Sequence, residues 1–239
     1  MTVLHGTDLA AAFDRSAAAY DRLTALSPGY HRQLASAAAL LRPATGRPDR
    51  VLDLGCGTGA STRAVLAAVP EATVTAADAS TGMLQRARAK PWPVAVGFVH
   101  ARAEHLGTPP LRGPYDAVLS CYLLRNTADP DGVLAGIRRV LRPGGRLVVH
   151  DYTLRGRRVD TVAWNALCYG IVIPLGALGP GGPRLYRHLR RSVIGFDPVG
   201  VLAARIAAAG FTGVRVHPAR GWQAGLVHTL TADRPEDRP

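Results

Sequence analysis

The residues of this chain best suited to chemistry are Asp53-Leu54-Gly55-Cys56-Gly57-Thr58-Gly59, with Asp78 nineteen positions beyond Gly59. Glycines set directly after an apolar run let the backbone turn tightly and bring main-chain N–H groups against a ligand. The helix that follows would add its positive N-terminus. A dinucleotide-binding fingerprint reads G-x-G-x-x-G, whereas this loop reads G-x-G-x-G with an acid two residues ahead of its first glycine. Asp53 would repel a phosphate and suit the ammonium of a methionine-like group. A carboxylate at Asp78, ending the next strand, can accept both hydroxyls of a ribose.

The elements that must position these groups alternate short apolar runs with helical patterns between residues 50 and 150, the signature of parallel βαβ units. Strands are expected at 51–54, 73–77, 94–99, 115–121 and 146–151, with helices at 62–69, 81–89 and from Asp129-Pro130 to Leu141. Asp129 reads as an N-cap with Pro130 in the first turn, and Pro143-Gly144-Gly145 as the stop. Asp197-Pro198 repeats the start signal for a helix carrying Val199, Leu202 and Ile206 on one face and ending at Gly210. Two antiparallel strands, 213–216 and 222–230, should follow. Ahead of the sheet, residues 10–41 are alanine-rich and helical, with a break near Ser27-Pro28-Gly29.

Asp53 to Gly59, Asp78 and Arg138-Arg139-Val140-Leu141-Arg142-Pro143-Gly144-Gly145-Arg146 resemble class I methyltransferases. That resemblance implies a Rossmann-like α/β fold, with a seven-stranded mostly parallel sheet, an N-terminal helical cap and a helical insertion after strand five. It implies that Gly55, Gly57 and Gly59 line an S-adenosylmethionine pocket, that Asp78 binds the ribose and that Ala103 lies near the adenine. Arg102 stands where many relatives carry the Asp or Asn that holds the adenine amino group.

The likeness extends to the ubiquinone/menaquinone C-methyltransferase (UbiE/MenG-type) family. Tyr20-Asp21-Arg22-Leu23-Thr24 and Gly29-Tyr30-His31-Arg32 resemble its N-terminal helix, and Leu124-Arg125-Asn126 with Asp129 its motif after strand four. Ile173-Pro174-Leu175-Gly176, Tyr186, Leu189 and Ser192-Val193 follow its C-terminal insertion. Ala209-Gly210-Phe211 and His228 complete the match. The resemblance adds Tyr20 to the cofactor contacts. Departures fall where an acceptor would sit. Gln33, Leu34 and Ala35 fill a region that usually holds tryptophan, His188 replaces an aromatic, and a glycine-proline run interrupts the insertion.

The activity implied is S-adenosylmethionine-dependent C-methylation of a hydrophobic, prenylated quinol-like or polycyclic compound. The alternatives are methylation of a prenyl diphosphate or another specialised metabolite, and cofactor binding without transfer. Arg125 and Asn126, at the carboxyl end of strand four, are assigned to orient the acceptor hydroxyl and stabilise its anion. His31 leads as the base because it lies in a family motif, with His150 and His188 as further titratable candidates. Tyr122 and Asp151 end strands four and five and could shape the same mouth.

A formal net charge of +12 comes almost wholly from arginine, Lys90 being the single lysine. The arginines are scattered, so nucleic acid is not an expected partner. The expected partners are a hydrophobic acceptor and, peripherally, a membrane surface; a homodimer is also allowed. Cys56, Cys121 and Cys168 lie too far apart for a C-x-x-C site, which points to a reducing compartment and no metal. Cytosol is the default location. Residues 161–183 carry no charge, yet Asn165, Gly170, Pro174 and the Gly179–Pro183 cluster argue for a helix and loop over a span. One domain over 1–232 is expected, with a cap at 1–45, a cofactor core at 50–151, an apolar lid at 155–196 and a disordered tail at 233–239.

Overall fold

The computed structural model describes residues 6–25, 29–43, 46–174 and 182–237. Seven strands, β1 (Arg50–Leu54), β2 (Thr73–Asp78), β3 (Gly97–His100), β4 (Tyr115–Cys121), β5 (Leu141–Tyr152), β6 (Thr212–Pro218) and β7 (Val227–Asp233), form one sheet in the order β3-β2-β1-β4-β5-β7-β6. The pairs from β3 to β5 are parallel, and β7 runs antiparallel to both β5 and β6. The chain works outward from β1 to β3 and then returns to β4 on the other side of β1. That reversal opens a crevice at the carboxyl ends of β1 and β4.

Both faces of the sheet are covered, which is why its strands read as nearly continuous apolar runs. Successive side chains point to opposite faces. Val51, Ala117, Leu119 and Val148 pack beneath α2 (Tyr30–Ala38) and α3 (Ala60–Ala68), against Leu34, Ala37, Val65 and Leu66. Leu52, Leu54, Val118, Leu147 and Val149 pack on the other face against α5 (Pro130–Val140) and Leu202 and Ile206 of a C-terminal helix. In α5, Asp129 accepts from the Gly132 N–H at 2.9 Å with Pro130 at the first position, a cap contributing about 1 kcal/mol.

Three further pieces surround the crevice: α1 (Gly6–Ala25), α4 (Thr81–Arg88) and an insertion after β5. The insertion consists of α6 (Arg158–Leu167), continued by a π-helical stretch Cys168–Val172, and α7 (Gly182–Gly195). Then α8 (Val199–Ala208) leads into β6. Among the described residues no helix is long and apolar enough to cross a membrane. Residues 175–181, which include most of the glycine-proline run, lie outside the description.

Several boundaries differ from the sequence reading. β3 begins at Gly97, opposite Thr75, rather than at 94, and Val94 is left 45% exposed. α5 stops at Val140, because Leu141 is already extended and pairs with Tyr115, so β5 starts five residues early. Asp197 does not cap α8. Pro198 takes that position and Asp197 binds Arg205 at 2.5 Å. Gly221–Gln223 forms a 3₁₀ turn, and Gly225 at φ 83° precedes β7, so the last strand starts at Val227 rather than 222. The segment read as loose from residue 233 is held at its start. Asp233 pairs with Arg146 at 2.5 Å, and Arg234 donates to the Leu141 carbonyl at 2.6 Å and to the Gly145 carbonyl at 2.8 Å.

Candidate functional site

A cavity of about 440 Å³ lies at the crevice, within the range of small-molecule sites. The glycine loop, the end of β2 and residues 101–104 wall one side; the end of β4, the insertion and α1 wall the rest.

The loop after β1 is built on alternate positive-φ glycines, at 82° (Gly55), 54° (Gly57) and 90° (Gly59), a backbone that other residues adopt only under strain. A Cβ on Gly57 would meet nothing within 4 Å among the described residues, so open space stands over the loop. A Cβ on Gly59 would lie 2.7 Å from the Trp92 ring, so that glycine serves helix packing and does not line the cavity. Asp78 does line it, with one oxygen accepting from Gly57 N–H at 2.7 Å and the other from Ser80 N–H at 2.8 Å. Burial raises its pKa, and the Ser80 and Gly57 N–H groups pull the other way.

Asp53 is fully buried behind the loop. Its Oδ2 accepts from Ser61 at 2.8 Å and Thr62 at 2.6 Å, while Oδ1 has no partner among the described residues. Burial pushes its pKa up to about 6 against those two bonds. A loop with open space above it, a wall carboxylate able to accept a diol and a buried carboxylate oxygen awaiting a donor fit a nucleoside carrying an amino group. They do not fit a pyrophosphate.

α1 closes over this end. Asp14 Oδ1 accepts from Ser80 Oγ at 2.5 Å and Gly82 N at 2.8 Å. Asp21 accepts from Thr58 Oγ1 at 2.5 Å and pairs with Lys90 at 2.7 Å, and Lys90 also reaches the Thr58 carbonyl. These two latches press Phe13 and Tyr20 onto the cavity. Arg102 and Ala103 line the same end, with Arg102 held 3.4 Å from Glu104.

The other end is aromatic. Tyr122 directly follows β4 at φ 56°, an unusual conformation for a tyrosine. Its ring stacks on Tyr30 at 5.7 Å, and the Tyr152 ring approaches it at 5.2 Å, followed by Trp164. Arg125 sits 5.6 Å from the Tyr122 ring centre and 5.5 Å from that of Tyr152, and donates to the buried Asp151 carboxylate. Asp151 is thus the counter-ion of Arg125 rather than part of the mouth. Asn126 donates to the Tyr122 carbonyl at 2.9 Å, and its Oδ1 meets His188 Nε2 at 3.0 Å.

Of the residues singled out from sequence, Tyr20, Gly55, Gly57, Asp78, Ala103, Arg125 and Asn126 line one cavity. Asp53 and Gly59 stand behind it. His31 is not brought in: Tyr30, Leu34, Ala37 and Ala38 form the inward stripe of α2, and His31 faces solvent beside it. His150 is buried behind Tyr122, with its nitrogens 2.8 Å from Thr229 Oγ1 and 3.0 Å from the Tyr122 hydroxyl. Burial and the nearby Arg125 lower its pKa to about 4, so it is a neutral prop. Sequence reasoning missed the Asp14 and Asp21 latches, whose partners lie far along the chain, and the pairing of Asn126 with His188. For the latter, the only signal was a histidine in an aromatic's place.

A family model described as the ubiE/COQ5 methyltransferase family matches residues 1–230. The chain is 35% identical over 198 residues to the ubiquinone/menaquinone biosynthesis C-methyltransferase UbiE of Methylobacterium nodulans, covering 79% of this chain and 76% of that one. It is 32% identical over 231 residues to the demethylmenaquinone methyltransferase of Clavibacter sepedonicus, covering 96% and 91%. The fold is shared with the plantazolicin methyltransferase BpumL (TM-score 0.67, 9% identity, 95% and 97% covered). It is also shared with the 1,6-didemethyltoxoflavin-N1-methyltransferase of Burkholderia thailandensis (TM-score 0.62, 21% identity, 99% and 93% covered). The chain therefore belongs to the ubiE/COQ5 methyltransferase family and is an enzyme that uses S-adenosylmethionine.

Proposed function

We propose that this enzyme methylates a ring carbon of a prenylated, reduced quinone. The observation that carries the reading is the continuity of one cavity from the glycine loop and Asp78 to an aromatic end holding Arg125 and Asn126. The names of the relatives, acting in quinone biosynthesis or on demethylmenaquinone, support the same acceptor class.

When bound, the cofactor supplies a methyl carbon already activated on a sulfonium. The protein's task is then alignment and exclusion of water. Asp78 would hold the ribose and the buried Asp53 would face the amino group, while α1 seals the crevice. Ala103 and Arg102 would border the adenine. Tyr122, Tyr152 and Trp164 offer flat apolar walls to an acceptor ring. Arg125, held in place by its ion pair with Asp151, would stabilise the oxyanion that makes the ring carbon nucleophilic.

A prenyl diphosphate finds less support. Arg155 and Arg157 are both engaged by Asp160, Arg190 donates to Asn165, and none of these lines the cavity. The outer face of α6 and its continuation leaves Val159, Val162 and Tyr169 60% or more exposed, with the exposed Arg158 at its start. We assign that face to peripheral contact with an anionic bilayer, and sedimentation with vesicles tests it.

The direct test of the activity is anaerobic incubation with methyl-labelled S-adenosylmethionine and a short-chain demethylmenaquinol, with NMR of the product. Label on a ring carbon supports the proposal. Label on oxygen, or none, contradicts it.

A further inference from the structure

We infer that His150 and Gln33 are positioning residues: by gripping the Tyr122 hydroxyl they fix the ring that Arg125 stands against, and so set where Arg125 meets the acceptor. The inference deepens the function proposed above and rests on it.

The starting point is the backbone of Tyr122. Its φ of 56° is the one positive value outside glycine among the described residues. A bulky side chain keeps such a conformation only where its surroundings over-determine it, and such places cluster at working sites. Both main-chain groups of Tyr122 are tied. Its N–H donates to the His150 carbonyl at 2.7 Å, and its carbonyl accepts from Asn126 at 2.9 Å. These bonds aim the side chain but leave the ring its own torsions.

The hydroxyl removes that freedom. It donates to Gln33 Oε1 at 3.3 Å and lies 3.0 Å from His150 Nε2. A phenol has one hydrogen, so with that hydrogen on Gln33 it accepts from His150 Nε2–H. Burial and the nearby Arg125 keep the imidazole neutral. Its Nδ1 then accepts from Thr229 Oγ1 at 2.8 Å, the residue opposite His150 on β7. At the other end Gln33 donates its amide N–H to Gln223, in the turn before β7. The hydrogens therefore run one way, from Thr229 through His150 and Tyr122 to Gln33 and Gln223. A satisfied chain of this kind, anchored in β5, β7 and α2, holds one arrangement.

What it holds is the surroundings of Arg125. The guanidinium carbon lies 5.6 Å from the Tyr122 ring centre and 5.5 Å from that of Tyr152, within cation–π reach of both. Asp151 binds the same guanidinium through Nη1. An ion pair at one nitrogen fixes a point; the rings are needed to fix the plane. Tyr30 backs the arrangement by stacking on Tyr122 with planes 12° apart. A Tyr122 ring released from His150 and Gln33 would tilt, and Arg125 would follow it. A displacement of about 1 Å at a reacting group can cost about 100-fold in rate.

The test is a double-mutant cycle on kcat with a short-chain demethylmenaquinol, with S-adenosylhomocysteine affinity by calorimetry as the control for folding. Tyr122→Phe keeps the ring and removes the grip. It is expected to lower kcat by about 10–100-fold, with KM changed less than about threefold and cofactor affinity within about twofold. Gln33→Leu and His150→Leu should each cost about tenfold in kcat, and His150→Gln, whose amide nitrogen can again donate to the phenol, should recover most of that loss. In the Tyr122→Phe background the two His150 variants should cost nothing further and be equal, because there is no hydroxyl left to grip. Should His150→Leu fail to fold, Tyr122→Phe and Gln33→Leu decide the matter. A Tyr122→Phe variant with the parent's kcat, or His150 variants that cost as much in that background as alone, overturn the positioning role while leaving the proposed reaction standing. A parent that transfers no methyl to the quinol overturns the reaction itself.

Discussion

Replacing Asp53 by Asn should make the cofactor-free protein more stable and a worse binder. The carboxylate is fully buried, one oxygen has no partner among the described residues, and its pKa is pushed up from 3.8 to about 6. Between those two values the folded chain holds a proton that the unfolded chain has lost, so stability falls as pH rises across that window. A tenfold change in proton affinity is worth about 1.4 kcal/mol, so the charged form burdens the fold by about 3 kcal/mol once pH exceeds 6. Asparagine keeps an oxygen for Ser61 and Thr62 and removes the charge. At about 2–4 °C per kcal/mol for a chain of this size, the unliganded variant should melt roughly 6–12 °C above the parent at pH 7.5. At pH 4.5 about 1 kcal/mol of that burden remains, so the gap should shrink to roughly 2–4 °C. Affinity for S-adenosylhomocysteine at pH 7.5 should drop by about tenfold or more, the worth of a charge-assisted bond to an ammonium. Calorimetry in both modes reads each effect. A variant that melts lower than the parent at both pH values, or that binds the cofactor undiminished, refutes the reasoning.

Asp78→Ala should weaken cofactor binding by about 100-fold in titration calorimetry, since it removes the diol acceptor and frees the Gly57 and Ser80 N–H groups. Arg125→Met should cost about 3–5 kcal/mol in denaturant unfolding by stranding the buried Asp151 charge, and pairing it with Asp151→Leu should recover much of the loss. Gly59→Ala should destabilise by about 1–3 kcal/mol through the Trp92 clash and the strained backbone, with partial rescue by Trp92→Leu, read as a shift in Tm.

The cofactor half of the site was legible because its signals are local. Glycines at fixed spacing after a strand, and an acid at the end of the next strand, depend on adjacent residues and one βα crossover. The strands were legible because two covered faces make every position apolar, and their ends blurred where a bulge interrupted the pairing. The acceptor end was less legible because its partnerships cross the fold. Arg125 and Asp151 meet only because β4 and β5 are neighbours in the sheet, and Asn126 meets His188 only because α7 folds back over the end of β4. His31 looked competent from its motif, yet one step around a helix turned it to solvent.

A crystal structure grown with S-adenosylhomocysteine tests the central claim most directly. The account predicts ribose hydroxyls on Asp78, the amino group on the Asp53 side of the glycine loop, and the sulfur facing the chamber walled by Tyr122, Arg125 and His188. A nucleoside bound elsewhere, or lying with its sulfur turned from that chamber, would contradict it.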